Sequence, residues 1–346
     1  MNANVMNFRV AVDCLTYNHA PYITETMAGF CAQKTDFPFV CIIIDDASTD
    51  GEQLVIQNYL DAYFDQNGQE REETDDYVMT FARNKENQNC FFIALLLKYN
   101  HHRLKKAKIP YVGEWHERVK YIALCEGDDY WTSPDKIQIQ VELMEKYRDS
   151  PFCVTDYREY NEYIKDFQPH QLEINRSVDS KYLFLSMDDF LHRGFFTKTL
   201  TVLYRQDMLA SSNYNLYKAR YDMPMFFALL TQGNCIFINE EMGVYRLSNV
   251  GVTSPVNREK FIDSQLPALF SIIRIEKSRE SQLFVYNFMV RYIIYVIYKK
   301  QFEILKKCIT LLPIDLNCKL FVIELPKQVF SILEGKFRNN GREKHK

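Results

Sequence analysis

FRVAVDCLTYNHAPYITETMAGFCAQKTDFPFVCIIIDDAS, residues 8–48, decides the fold. Phe8 to Leu15 is a short apolar run with two valines, and Phe39 to Ile44 is a continuous apolar run of the kind found in a strand covered on both faces. Between them Pro21 opens a helical stretch, Tyr22 to Cys31, with Ile23, Met27 and Phe30 on one side. Strand, helix, strand is a βαβ unit, and its parallel strands deliver their C-terminal ends to one edge of a sheet. That edge receives TYN from Thr16 onward and DDAS from Asp45 onward. A second helix over Gln53 to Phe64 and a third strand over Tyr77 to Phe81 continue the alternation, which predicts an α/β fold with a mixed, mostly parallel sheet flanked by helices.

A second strand-like run, Val119 to Cys125, ends in CEGDDYW, Cys125 to Trp131. Beyond it the pattern predicts a helix over Lys136 to Tyr147 and a strand over Phe152 to Thr155. Phe91 to Tyr99 reads as a helix, and His101 to Glu117 as a helix end and loop in which His101 and His102 form a surface pair. Asp65 to Asp76 reads as a solvated loop, and Arg158 to Ser180 as irregular chain around a site. Short apolar segments follow at Met187 to Leu191 and Thr199 to Tyr204, then a helix over Met223 to Leu230 after Asp222 and a strand over Cys235 to Ile238 before MGVYR. Helical periodicity from about Phe261 onward, ending in the basic residues Lys336, Arg338, Arg342, Lys344 and Lys346, places a boundary near Asn257. The expected division is a catalytic domain over 1–256 and a helical C-terminal region over 257–346.

Composition narrows the function. With 346 residues and 47% hydrophobic content the chain can bury a large core, and 42 Lys and Arg against 45 Asp and Glu leave no broad cationic surface for nucleic acid. Nine scattered cysteines without a CxxC pair fit a reduced compartment and no structural zinc, so the expected location is cytoplasmic. No run of about 18 apolar residues predicts a membrane span. The aromatic C-terminal helices and basic tail either make a peripheral membrane contact or serve core packing or a dimer interface, leaving oligomeric state open.

Three acidic stations carry the candidate chemistry: Asp45 and Asp46, Asp128 and Asp129, and Asp222 before a helix. Each has a plain alternative as a turn or helix cap. An Asp beyond a strand end can accept from a ribose hydroxyl or a base N–H. Paired carboxylates repel unless a cation offsets them, and Mg²⁺ or Mn²⁺ at Asp128 and Asp129 would bridge diphosphate oxygens. No GxxxxGK[ST] or GxGxxG loop exists to cradle phosphate by backbone alone. Trp131 either stacks on a sugar face or fills the core, and Arg246 either faces diphosphate or ends in an ordinary salt bridge.

In order, VAVDCLTYNHAPYITETMAGFCAQKTDFPFVCIIIDDASTD, YIALCEGDDYWTSPDK and RYDMPMFFALLTQGNCIFINEEMGVYR resemble family 2 of the inverting GT-A glycosyltransferases, of the bacterial surface-polysaccharide type, over residues 8 to 255. The resemblance implies a nucleotide-sugar donor, UDP-hexose first, and a glycan or lipid-linked saccharide acceptor. It implies nucleotide contacts at Thr16, Tyr17, Asp46 and Asp128, a metal site at Asp128 and Asp129, and a general base at Asp222, with Asp189 or Asp188 next in line. Ser248 stands where relatives often carry a His for diphosphate, and the segment before EGDD is longer than usual. Two other functions are compatible with the sheet: a catalytically inactive homologue that binds carbohydrate or an assembly partner, and a nucleotidyltransferase, against which the missing basic phosphate loop counts.

Overall fold

The computed structural model describes residues 6–168, 181–193, 197–218, 221–247 and 268–298. By contacts the chain divides into two units. One comprises Met1–Ser186, Phe195–Ser211 and Leu229–Gly251; the other comprises Met187–Gly194, Ser212–Ala228 and Val252–Lys346. The expected boundary near Asn257, Ser248 and the basic tail lie outside the described residues.

In the first unit the elements run β1 (Val10–Thr16), α1 (Ile23–Cys31), β2 (Phe39–Asp45), α2 (Glu52–Tyr63), β3 (Glu70–Glu73), β4 (Tyr77–Arg83), β5 (Cys90–Leu97), α3 (His101–Leu104), α4 (Ile109–Glu117), β6 (Tyr121–Leu124), β7 (Tyr130–Trp131), α5 (Lys136–Lys146), β8 (Phe152–Asn161), β9 (Asp166–Gln168) and β10 (Tyr182–Leu185). After α6 (Met187–Arg193) in the second unit come β11 (Leu203–Arg205), α7 (Gln206–Ser211), α8 (Asp222–Leu230) and β12 (Cys235–Leu247). The strands form one sheet in the order β10-β12-β8-β11-β6-β1-β2-β5-β4-β3, with β7 beside β12 and β9 beside β8. Its centre, β6-β1-β2-β5, is parallel, and antiparallel strands extend it at both sides.

β2 is buried at every position, as a strand covered on both faces must be. Alternation along the strands separates two layers. Val10, Val12, Cys14, Cys41, Ile43 and Phe92 share a core with Ile23 and Met27 of α1, Ile56 and Leu60 of α2, and Ile137 and Val141 of α5. Trp115 of α4 stacks on the Phe81 ring at 6.1 Å, while Phe8 meets Phe91 edge-on at 5.2 Å. Such pairs add about 0.5–1.5 kcal/mol each beyond area burial. Asp13 of β1 bonds His116 Nε2 of α4 at 2.9 Å; burial lowers the imidazole pKa, but the charge of Asp13 and its hydrogen bond together outweigh burial and hold the value above the ordinary one.

Several expectations change. Phe91 to Tyr99 is not a helix: Cys90–Leu97 is a strand paired in parallel with β2, and all eight residues are buried. An apolar run of this length has no period of its own, so the neighbouring strand decides. His101 to Glu117 contains two helices rather than a helix end and loop, with Pro110 in the first turn of α4. Within the expected loop 65–76, Glu70–Glu73 pairs antiparallel with β4 as a charged outer strand. Charge along a sheet edge discourages further pairing, and the same charge hid the strand. β8 and β12 run far past the predicted four residues, side by side and in parallel, with the register shifting between Ile238 and Glu241 and again between Glu241 and Val244.

The second unit is helical where described: α6, the start of α8, a helix over residues 268–276 (α9) and α10 (Arg279–Tyr298). Phe284 of α10 stacks against Phe190 at 5.8 Å and Phe227 at 4.8 Å, and Lys218 N–H donates to Ser271 Oγ at 3.0 Å. Among the described residues no helix is long and apolar enough to cross a membrane. The seven described cysteines form no disulfides.

Candidate active site

β6, β1 and β2 are adjacent and parallel, so their C-terminal ends share one edge and bring together residues distant in sequence. The end of β1 gives Thr16 and Tyr17, that of β2 gives Asp46, and the turn after β6 gives Glu126 to Asp129. Backbone bonds fix their spacing: Asp46 N–H donates to Thr16 O, and Gly127 N–H donates to Leu15 O, both at 3.0 Å. Gly127 is required there. A Cβ on it would stand 2.1 Å from Thr16 Oγ1 and 2.5 Å from Thr16 Cβ. Gly127→Ala is therefore expected to push the acidic turn off β1 and to cost about 1–3 kcal/mol, read as a lower urea midpoint; an unchanged midpoint would mean the turn has room to spare.

The acidic pair divides by position. Asp129 is 1% exposed, and its Oδ1 accepts from Arg246 N–H at 2.8 Å. Burial, followed by the charges of Asp128 and Glu126, pushes its carboxyl well above the ordinary range. Asp128 is half-buried, with Oδ2 3.7 Å from His19 Nε2. Of the two residues expected to hold a cation, Asp129 thus turns inward as an anchor and Asp128 faces the edge.

Arg246 resolves toward the ordinary reading. Its guanidinium donates to Asp128 O at 2.7 Å, pairs with Glu25 and with Glu162 (3.2 Å), and lies between the Tyr22 and Tyr130 rings. Trp131 fills the core: it is 4% exposed, its indole N–H donates to Leu200 O at 2.8 Å, and Phe30 meets it edge-on.

Asp46 has both oxygens engaged. Oδ1 accepts from His101 N–H at 2.7 Å, and Oδ2 accepts from His102 N–H and Lys108 Nζ, each at 3.1 Å. Tyr17 OH accepts from Arg103 Nη2 at 3.3 Å. The basic segment without an assigned role therefore wraps the expected nucleotide residues. Glu52 joins the site as well: fully buried at the start of α2, it accepts from Thr16 OH, from His19 N–H at 2.8 Å and from Ser48 OH at 2.8 Å. In sequence it reads as one more acid at a helix start, and its signal, a histidine in TYNH, is a single residue.

Asp222 opens α8 half-buried in the second unit, its Oδ1 accepting from Met223 N–H at 2.8 Å. Asp188 is exposed and Asp189 half-buried on α6.

Among the described residues no three His, Cys, Asp or Glu side chains converge as an all-protein metal site. Small divalent cations are commonly held by one or two carboxylates completed by substrate phosphates, and Asp128 fits that kind of site.

The sequence pattern of glycosyl transferase family 2 matches residues 15–87, from the end of β1 past β4. Rv1520 of Mycobacterium tuberculosis, an uncharacterised protein, is 28% identical over 289 residues, 79% of this chain and 71% of that one. TuaG of Bacillus subtilis, whose name provisionally assigns it a glycosyltransferase step in teichuronic acid biosynthesis, is 24% identical over 72% of this chain and 83% of its own. The solved structure of Staphylococcus aureus TarS with UDP-GlcNAc matches at a TM-score of 0.51 and 15% identity, over 80% of this chain and 70% of that one, a likeness of fold. With the parallel strand ends, the TYN and DDAS stations and the EGDD turn in these places, the chain is similar in sequence to family 2 glycosyltransferases over residues 15–87 and similar in fold to a solved member of the GT-A glycosyltransferases.

Proposed function

We propose that the protein transfers a hexose from a UDP-sugar to a hydroxyl of a glycan or lipid-linked saccharide, with inversion and with a divalent cation at Asp128. The observation that carries this reading is the meeting of Thr16, Tyr17, Asp46 and Asp128 on one edge of β2, β1 and β6. The donor class draws support from the UDP-GlcNAc bound by TarS, and surface polysaccharide as the product class from the name of TuaG.

Tyr17, with Arg103 and the Asp46–Lys108 pair, frames the nucleotide side. Asp128 would hold Mn²⁺ or Mg²⁺, and the bound cation would supply positive charge to offset the negative charge that grows on the leaving diphosphate. Asp222 is the proposed base, taking the acceptor proton so that the oxygen attacks the anomeric carbon from the side opposite the diphosphate. The engagement of both Asp46 oxygens favours, as a second reading, a homologue that binds without transferring.

Titrating UDP with and without Mn²⁺ separates them: transfer requires metal-dependent affinity, and its absence rejects the metal-assisted reading. Asp222→Asn is expected to leave that affinity intact and to lower transfer by on the order of 10²- to 10³-fold. Turnover unchanged in that variant removes Asp222 from the base role.

A further inference from the structure

His19 lies in the loop after β1, and its surroundings determine where its ring proton sits. Glu52 Oε2 accepts from the backbone N–H of His19 and from Ser48 OH, whose oxygen in turn accepts from Asn18 N–H at 2.8 Å. Glu52 Oε1 accepts the Thr16 hydroxyl proton. The Thr16 oxygen is then left as an acceptor, and its neighbour at 3.2 Å is His19 Nδ1, which must carry the hydrogen. In the neutral ring Nε2 is then the atom with the lone pair, and it faces Asp128 Oδ2 at 3.7 Å.

That contact sets a lone pair against a carboxylate oxygen, with the two side chains 13% and 16% exposed. The separation is too long for a shared proton. Two atoms each about 2.1 Å from one divalent ion are about 3 Å apart at right angles and about 4.2 Å apart when opposite, and 3.7 Å falls between. A ligating histidine commonly donates its other ring N–H to an orienting partner, and here Glu52 through Thr16 supplies that orientation.

We propose that His19 Nε2 is a second protein donor to the cation held by Asp128 and the donor diphosphate, an inference that rests on the metal-assisted reading above. Glu52 and Thr16 are then positioning residues that fix the imidazole tautomer. An imidazole in the set biases the site toward Mn²⁺ and Co²⁺ over Mg²⁺, which prefers oxygen.

The test is pulsed electron paramagnetic resonance of Mn²⁺ on the full chain with UDP, and with GDP in parallel so that the choice of base does not decide the outcome. The wild-type protein with UDP should show modulation from a directly bound ¹⁴N, and His19→Gln should lose it with Mn²⁺ affinity falling about 10- to 100-fold. Thr16→Val should weaken Mn²⁺ binding while keeping the nitrogen signal. Bound Mn²⁺ without nitrogen modulation in the wild-type protein overturns the role of His19 and leaves the metal reading standing. No Mn²⁺ binding with either nucleotide overturns the metal reading itself. The wild-type spectrum decides even if His19→Gln does not fold.

Discussion

Asp128→Asn is expected to lower sugar transfer by at least about 10³-fold, roughly 4 kcal/mol of transition-state stabilisation, while leaving thermal stability nearly unchanged. The carboxylate is half-buried at the edge, whereas the structural bond at this position, Arg246 Nη1 to the carbonyl oxygen, is made by backbone that Asn retains. Asp129→Ala should behave in the opposite sense. The Asp129 carboxyl is 1% exposed and accepts from Arg246 N–H, so removing the acceptor leaves a buried N–H without its partner and lowers stability before it touches metal affinity. Measuring kcat/KM across a Mn²⁺ titration beside the melting temperature distinguishes the two. An Asp128→Asn enzyme within tenfold of wild type would remove Asp128 from the metal site.

The largest effect on stability should come from Lys136. It is fully buried on α5, its ammonium lies 4.2 Å from the centre of the Trp131 ring, and it donates to Gln140 Oε1 at 2.8 Å. Burial pushes its pKa from 10.5 down to about 7. A lowered folded-state value means that the unfolded chain holds the proton more tightly. Stability therefore rises with pH between about 7 and 10.5, and the gain is lost as pH falls through the folded value. At about 1.4 kcal/mol per pH unit the whole span is worth roughly 5 kcal/mol. Lys136→Met keeps the length and removes the charge. It should melt higher than wild type at pH 6, and that advantage should shrink or reverse by pH 9, where the neutral amine and its bond to Gln140 favour the wild type. Parallel melting curves with pH-independent spacing would show that Lys136 does not titrate in this range.

The parallel centre of the sheet was readable because Phe39 to Ile44 is apolar at every position and a helix of clear period separates it from β1. The same rule failed at Cys90–Leu97, where an equally apolar run carries no period and the pairing partner decides. β3 was invisible because Glu70 to Glu73 is stabilised by pairing with β4, not by burial of its side chains. At the site, the stations Thr16, Asp46 and Asp128 were legible from their places after strands. The inward turn of Asp129, the grip of His101, His102 and Lys108 on Asp46, and the Glu52–Thr16–His19 chain were not, because each depends on which way a side chain points once residues far apart in sequence meet.

The pairing of β1 with β6 joins Val10 to Tyr121, and nothing local brings those strands together. The chain must close a loop of more than a hundred residues before the EGDD turn reaches Thr16, and contacts of such separation form late and slowly. Donor and cation affinity should accordingly be among the last properties to appear during refolding. Partly folded chains would hold the first βαβ unit without a grip on nucleotide, so the appearance of Mn²⁺-dependent nucleotide binding after dilution from denaturant would time the completion of the sheet centre.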